Sequence, residues 1–254
     1  MSSGLRICGA KMVYPHFKNK HLQEALIHPQ DFVKAHKVKG SLPKKYIITY
    51  QTSAKNYFLR KYKPKKKTIY SLLTIYRYKD VGFIKMTGVG APNAAAVFEE
   101  MIALGGKEFL NIGTAGGLYR EGVFLCEKAL RDEGTSHHYL PYGKFEYPDK
   151  KLTEKLGKCL EKHRIPYFRG TTWTIDAPYR ETKAEVERYS KQGISTVEME
   201  ASALFAVAKY RQVKIASAFV VSDVLGKKWE SKFHRFDIKR TLNRLIDSAI
   251  DCFS

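Results

Sequence analysis

Two carboxylates follow an apolar stretch within TVEMEASALF, Thr196–Phe205, where Glu198 and Glu200 flank Met199. Carboxylates are rarely fully buried unless they have partners. Residues two apart on an extended chain face the same way, so both side chains are predicted to project together. Such a pair could accept hydrogen bonds from a vicinal diol or bind a divalent cation. Equally, the pair could cap the helix that follows, because a carboxylate is favourable at a helix start.

A second acid follows another apolar stretch, FVVSDVL, Phe219–Leu225. An aspartate at the carboxyl end of a strand, here Asp223, can act as a general acid towards a leaving group. It can also simply begin a turn or cap a helix. Several cationic or titratable side chains come shortly afterwards: Lys227, Lys228, His234 and Arg235.

Two glycine-rich stretches are candidates for anion binding. NIGTAGGL, Asn111–Leu118, places small residues after an apolar run, and its backbone N–H groups and the Thr114 hydroxyl could hold an anion. TGVGAPNAAA, Thr87–Ala96, leads into a predicted helix whose N-terminus favours negative charge. Each stretch could instead be a tight turn, with Pro92 at the start of the helix in the second.

Composition limits the classes of protein. The 254 residues include 44% hydrophobic ones, which is enough for a sizeable core, and no apolar run is long enough to span a membrane. The formal net charge of +20 favours an anionic partner such as phosphate, a phosphorylated molecule or nucleic acid. The four cysteines lie far apart without a CxxC pair, which predicts neither zinc nor disulfides and favours a cytoplasmic location.

Strands alternate with helices along most of the chain, which predicts an α/β fold: a single domain with a central mixed, twisted sheet flanked by helices. Residues 1–43 are expected to form an irregular N-terminal segment, and residues 44–254 the catalytic domain. KYKPKKKT, Lys61–Thr68, is predicted to be a charged loop because Pro64 breaks a helix. Ligands bind beyond the carboxyl ends of the strands in such sheets, where the stretches above are predicted to lie.

These stretches resemble the nucleoside phosphorylase family, of the purine nucleoside and uridine phosphorylase type. VEMEASALFAVAKY followed by VVSD is similar to the family's ribose-binding segment, and TGVGAPNAAAVFEE and NIGTAGGL match in order and spacing. RDEGTSHHYLP and TTWTIDAPYRE are similar as well. The resemblance extends from Lys44 to the C-terminus and implies a nucleoside phosphorylase-like fold.

The resemblance also implies an activity: phosphorolytic cleavage of the N-glycosidic bond of nucleosides, purines being favoured and uridine an alternative, giving the base and ribose 1-phosphate. Inorganic phosphate would be the co-substrate, without a metal or organic cofactor. The chain would assemble as a homo-oligomer, a hexamer or smaller ring. The implied roles are ribose binding by Glu198, Met199 and Glu200; phosphate binding by Asn111, Gly113, Thr114 and Lys55; base contacts from Ala115, Gly116, Pro178, Val197 and Ser222; and catalysis by Asp223 with Arg235 as its partner.

The sequence departs from the family pattern at the phosphate site. QTSAK, Gln51–Lys55, replaces the usual Gly-Asp-Pro-x-Arg, and Asn111 stands where the family has an arginine before Ile-Gly-Thr. Lys55 could substitute only as a point charge. Two alternatives follow: a hydrolase that cleaves nucleosides or nucleotides with water, and a basic non-enzyme that binds nucleic acid. Nucleic acid is not the expected partner, because no known binding module is recognisable.

Overall fold

The computed structural model describes residues 14–38, 40–225 and 236–254. Its strands form one ten-stranded sheet in which parallel and antiparallel pairs are mixed. The strands are β1 Lys45–Thr49, β2 Lys65–Tyr70, β3 Leu73–Tyr78, β4 Val81–Lys85, β5 Glu108–Gly117, β6 Val123–Asp132, β7 Phe145–Glu146, β8 Phe168–Ile175, β9 Ile194–Glu198 and β10 Lys214–Val224. The helices are α1 Pro29–Ala35, α2 Thr52–Tyr62, α3 Ala91–Ala103, α4 Lys150–Lys162, α5 Lys183–Lys191, α6 Ala201–Tyr210 and α7 Phe236–Phe253.

Five strands of the sheet close on themselves. The order along the sheet is β10-β6-β8-β9-β5-β1-β4-β3-β2, and β10 also pairs with β5 in parallel. The pairings β5–β10–β6–β8–β9–β5 therefore form a ring, from which β1, β4, β3 and β2 extend as an open sheet. This arrangement confirms the predicted mixed sheet and brings the ends of β5, β9 and β10 together.

Helices cover both faces of the sheet because its strands are apolar on both sides. Successive residues of a strand point to opposite faces. Ile47 accordingly packs in the core under α2, α4 and α7, whereas Ile48 packs in the core under α3 and α6. Helix α6 is buried from Ala201 to Ala208, which explains why its sequence is apolar on every side.

The charged stretch at residues 61–68 is not the loop that the sequence predicted. Helix α2 ends at Tyr62, Lys63 takes a left-handed conformation with φ 44°, and the chain then enters β2, which pairs antiparallel with β3. Strand β2 lies at the open edge of the sheet. Lysines there stay solvated and discourage pairing with another chain, so the charge run is compatible with an edge strand.

Strand β1 pairs in parallel with both β4 and β5, whereas β3 pairs antiparallel with β4. In the described ranges, no helix has the length and apolar character that crossing a bilayer requires.

Candidate active site

The junction of β9 and α6 separates the roles of its two carboxylates. Strand β9 ends at Glu198, and Glu200 has φ −137° and ψ −31° as the residue that precedes α6. Glu198 turns towards the helix, where it accepts the N–H groups of Glu200 at 2.8 Å and Ala201 at 2.7 Å. Its other oxygen accepts the Thr174 hydroxyl at 2.6 Å. The helix-capping alternative therefore describes Glu198, and its carboxylate still lies close enough to that of Glu200 for their charges to interact.

Glu200 reaches the N-terminus of α3. Its Oε1 accepts the backbone N–H of Gly90 at 2.5 Å. Gly90 has φ 98°, a conformation that favours glycine, and the Met199 methyl lies 4.0 Å from the position that a Cβ would take there. The predicted preference of this helix start for an anion is thus met by the protein's own carboxylate. One oxygen of Glu200 is fixed where α3 and α6 begin side by side.

Burial governs the protonation of this acidic pair. Only 7% of Glu198 and 6% of Glu200 is exposed, and removal from water raises the pKa of both carboxyls. The charge of Glu200 raises the pKa of Glu198 further. Within the described ranges, no Lys, Arg or His forms an ion pair with either one. Each carboxyl can therefore hold a proton near neutral pH, and a bound group that develops positive charge would favour the ionised forms.

A buried network fixes the start of α6 from behind. Thr174 accepts the N–H of Ser202 at 3.0 Å, and the Ser202 hydroxyl donates to Glu133 at 2.8 Å. Glu133 also accepts the N–H of Ser136, whose hydroxyl accepts Arg131 Nε at 2.9 Å. The RDEGTSHH stretch therefore supports the helix that carries the carboxylates. It is a positioning element, and a partly satisfied network of this kind would be costly.

Side chains that follow β1 hold the glycine-rich end of β5. Gly113 and Thr114 belong to β5 and pair with β10, so this stretch is a strand and not a tight turn. Gln51 Nε2 donates to the Thr114 hydroxyl at 2.9 Å, and Gln51 Oε1 accepts the Thr49 hydroxyl at 3.1 Å. Thr114 has accepted a hydrogen bond, so its own O–H remains available as a donor. The Tyr50 ring lies 3.4 Å from where a Cβ would stand on Gly113. This end of β5 can offer hydrogen bonds to an anion or to water.

The predicted phosphate residues divide into two groups. Gly113 and Thr114 lie together in β5, beside Gln51. Asn111 is fully buried and donates to Ser217 Oγ of the neighbouring strand β10 at 3.2 Å. The Lys55 ammonium forms no hydrogen bond or ion pair with any described residue. This end of β5 thus has neutral donors, and no contact joins a cation to it in the described part of the chain.

Most of the predicted base residues come together where β5 meets β9 and β10. Gly116 pairs with Val197 and with Asp223, and a Cβ on Gly116 would lie 3.0 Å from Val197 Cγ1 and 3.8 Å from Asp223 Oδ2. A side chain at position 116 would therefore require the Val197 side chain to shift. Ser222 donates to Asp223 Oδ1 at 2.7 Å and lies 3.4 Å from the carbonyl oxygen of Ala115.

Two predicted residues lie apart from this group. Pro178 is exposed in a short 3-10 turn after β8, and no contact places it against Val197. Arg235, like Lys227, Lys228 and His234, falls outside the residues that the structure describes.

One acid at the base end was missed by sequence reasoning. Glu181 lies just before α5, which begins at Lys183 with Thr182 as its N-cap. Burial and the nearby charge of Asp223 raise the pKa of Glu181 to about 7, with a smaller effect of Glu185. No donor among the described residues contacts the Glu181 carboxyl. The available signal was its position just before the N-cap residue Thr182. A residue outside the helix is not directed to a particular face by the helix period.

Residues 52–252 match the family model described as the phosphorylase superfamily. This chain belongs to the phosphorylase superfamily. The match includes the junction of β9 and α6, the glycine-rich end of β5 and Asp223. It confirms the family to which the sequence motifs pointed. Membership makes the protein an enzyme of the nucleoside phosphorylase and nucleosidase group.

Relatives of this phosphorylase superfamily member are named for different activities. The purine nucleoside phosphorylase of Plasmodium vivax is 28% identical over 184 residues, 68% of this chain and 74% of the relative. The uridine phosphorylase of Treponema pallidum is 29% identical, over 54% of this chain and 59% of the relative. The crystal structure of AMP nucleosidase from Bacteroides thetaiotaomicron shares the fold, with a TM-score of 0.74 and 19% identity over 90% of this chain and 99% of that one.

Proposed function

We propose that this protein cleaves the N-glycosidic bond of purine nucleosides by phosphorolysis and releases the base and ribose 1-phosphate. The observation that carries the proposal is the fixed position of Glu200, between the N-termini of α3 and α6. Tyr50 links this carboxylate to Gly113 and Thr114 in β5, since its ring packs on Gly113 and the charge of Glu200 acts on its phenol. A sugar held by Glu200 would then have this end of β5 beside it.

In the proposed mechanism, Glu200 accepts hydrogen bonds from the ribose hydroxyls, and Met199 packs beside it. The glycosidic bond breaks through an oxocarbenium-like state, as in glycoside hydrolysis, and the buried acidic pair favours its positive charge. Phosphate bound by the Thr114 hydroxyl and by backbone N–H groups at this end of β5 attacks the anomeric carbon. The departing electron pair goes to the base, which takes a proton. No metal or organic cofactor is required in this scheme.

The proposed purine preference rests on Asp223 at the base end, with Gly116 and Val197 beside it. An acid there can deliver a proton to N7 as the base leaves, which is worth about 10²–10⁴-fold in rate. Pyrimidines have no N7, so uridine is the weaker candidate. Cytoplasmic location and assembly into a homo-oligomer stay predictions.

The nucleophile is tested by a product analysis. We expect release of base from inosine, guanosine or adenosine to depend on inorganic phosphate and to yield ribose 1-phosphate. Uridine is included to test the purine preference. Release at the same rate without phosphate, with free ribose as product, would reject phosphorolysis.

Hydrolysis is the second candidate, and one observation favours it. Lys55 and Asn111 stand where the family usually has its two phosphate-site arginines, and the Asn111 amide donates to Ser217 on the neighbouring strand β10. Without guanidinium groups, phosphate is bound by neutral donors alone, which weakens its affinity. Water beside the Thr114 hydroxyl would then be the nucleophile. Inclusion of AMP among the substrates extends this test to nucleotides.

Glu181 predicts a pH dependence. A carboxyl with a pKa of about 7 stays protonated below neutrality and can return a proton to Asp223 after Asp223 has protonated the leaving base. We expect base release from purine nucleosides to decline as the pH rises through about 7. Glu181→Gln, which cannot donate an acidic proton, should lower the rate on the acid side and remove this inflection. The check is kcat/KM measured from pH 5 to pH 9, and an unchanged inflection in the variant would contradict the assignment.

A further inference from the structure

Tyr50 carries a buried hydroxyl that has no hydrogen-bond partner among the described residues. Buried polar groups are nearly always hydrogen-bonded, and an unpaired hydroxyl away from water costs free energy. Such a group needs an explanation. A ligand that is bound during the reaction is one such explanation when the group lies beside a candidate active site.

The surroundings of Tyr50 are those of the sugar site. The residue follows β1 and lies on the sheet face that α3 and α6 cover. Its ring packs on Gly113 in β5, and its phenol lies within electrostatic range of Glu200 and Glu198. Burial, followed by these two charges, raises the pKa of Tyr50 well above its ordinary value. The phenol therefore stays protonated near neutral pH and can donate.

We propose that Tyr50 Oη donates a hydrogen bond to the same sugar hydroxyl that donates its own hydrogen to Glu200. This inference rests on the proposed function and deepens it. A sugar hydroxyl is both a donor and an acceptor. Glu200 as a carboxylate can only accept, and Tyr50 supplies the missing donor. Together they would read one hydroxyl completely and reject a sugar that lacks it, because the two buried groups would then stay unpaired.

The proposal makes Tyr50 a substrate-binding and specificity-determining residue. Gln51, the next residue, fixes Thr114, so adjacent side chains would serve the sugar and the nucleophile. A change at Tyr50 would therefore alter recognition of the sugar and keep the hydrogen bond from Gln51 to Thr114.

The test compares substrates in the Tyr50→Phe variant. We expect kcat/KM for a ribonucleoside to fall about 10- to 100-fold, the usual effect of losing a hydrogen bond in such a site. The same variant should lose less than about 3-fold on either the 2′-deoxy or the 3′-deoxy nucleoside, because the contacted hydroxyl is already missing there. Base release is measured with phosphate and without it, so the result does not depend on the nucleophile.

Tyr46→Phe is the matched control. Tyr46 lies on β1 on the same face, is fully buried and also has an unpartnered hydroxyl, but its ring stacks on Phe109 in the core. This variant should keep wild-type kinetics on all three substrates. Equal losses on the three substrates in Tyr50→Phe, or no loss on any of them, would overturn the proposal.

Failure of the proposed function gives a different result. If wild-type protein releases no base from any nucleoside, calorimetric binding of the same three nucleosides replaces the kinetic assay. Selective loss of affinity for the hydroxyl-bearing sugar in Tyr50→Phe would still support the contact. Identical affinities of the wild-type and variant proteins would reject it.

Discussion

Replacing Glu200 by glutamine is expected to lower kcat/KM for purine nucleosides by about 10³-fold, in the range seen when one preorganised electrostatic contact to a transition state is removed. The neutral amide cannot accept charge-assisted hydrogen bonds from two sugar hydroxyls. It also cannot stabilise the positive charge of an oxocarbenium-like state. Folding should survive, because the amide oxygen can still accept the Gly90 N–H while a buried charge disappears. Steady-state kinetics and thermal unfolding of the same preparation provide the check.

Glu99→Gln is the control for this substitution. Glu99 is also a buried carboxylate, but Arg211 pairs with it at 2.7 Å, and it belongs to α3 away from the helix start. This variant should lose stability, because Arg211 is left without its charged partner, and it should keep its kcat/KM. Full activity in Glu200→Gln with unchanged stability would remove Glu200 from the ribose site.

Replacing Asp223 by asparagine should have the second large effect, and its size should depend on the leaving group. A purine needs a proton at N7 as it departs, so loss of the acid should cost about 10²–10⁴-fold in rate. A nitrophenyl riboside leaves as a stable anion and should lose less than about 10-fold. The two rates are measured with the same enzyme preparation.

The substrate pair is its own control for misfolding. Damage to the fold would lower both rates together, whereas loss of proton donation lowers only the purine rate. Asparagine keeps the acceptor for the Ser222 hydroxyl, so the local hydrogen bond at 2.7 Å can be retained. Equal losses on the two substrates would exclude Asp223 as the proton donor.

The sequence allowed the fold to be predicted because its periodicities are strong. The apolar strands and the glycine-rich stretches placed Gly116, Val197 and Asp223 at strand ends, and the register brings those ends together. The capping role of Glu198 could not be chosen from the sequence, because a spacing of two implies a common face only while the chain stays extended. The strand stops at Glu198, and competition for the N–H groups of α6 decided where its carboxylate points.

Other features could not be read from sequence because they depend on neighbours distant in the chain. Gln51 bonds to Thr114, which is 63 positions away in the chain. The charge of Asp223 acts on Glu181 from another element of the fold. The lysines of β2 resembled a loop because charge does not distinguish a solvated turn from an edge strand. Tyr50 had no signal at all, since a tyrosine after a strand is ordinary until its hydroxyl is found without a partner.

The ring of five strands limits the sequence changes that the protein can accept during evolution. A strand in an open sheet can slip by two residues and keep its apolar face inward. Inside a closed ring, slippage of β5, β9 or β10 would require its two neighbours to move as well. Insertions and deletions should therefore be tolerated along the open arm that ends in β2 and eliminated in the ring, where they would displace the reacting groups from one another.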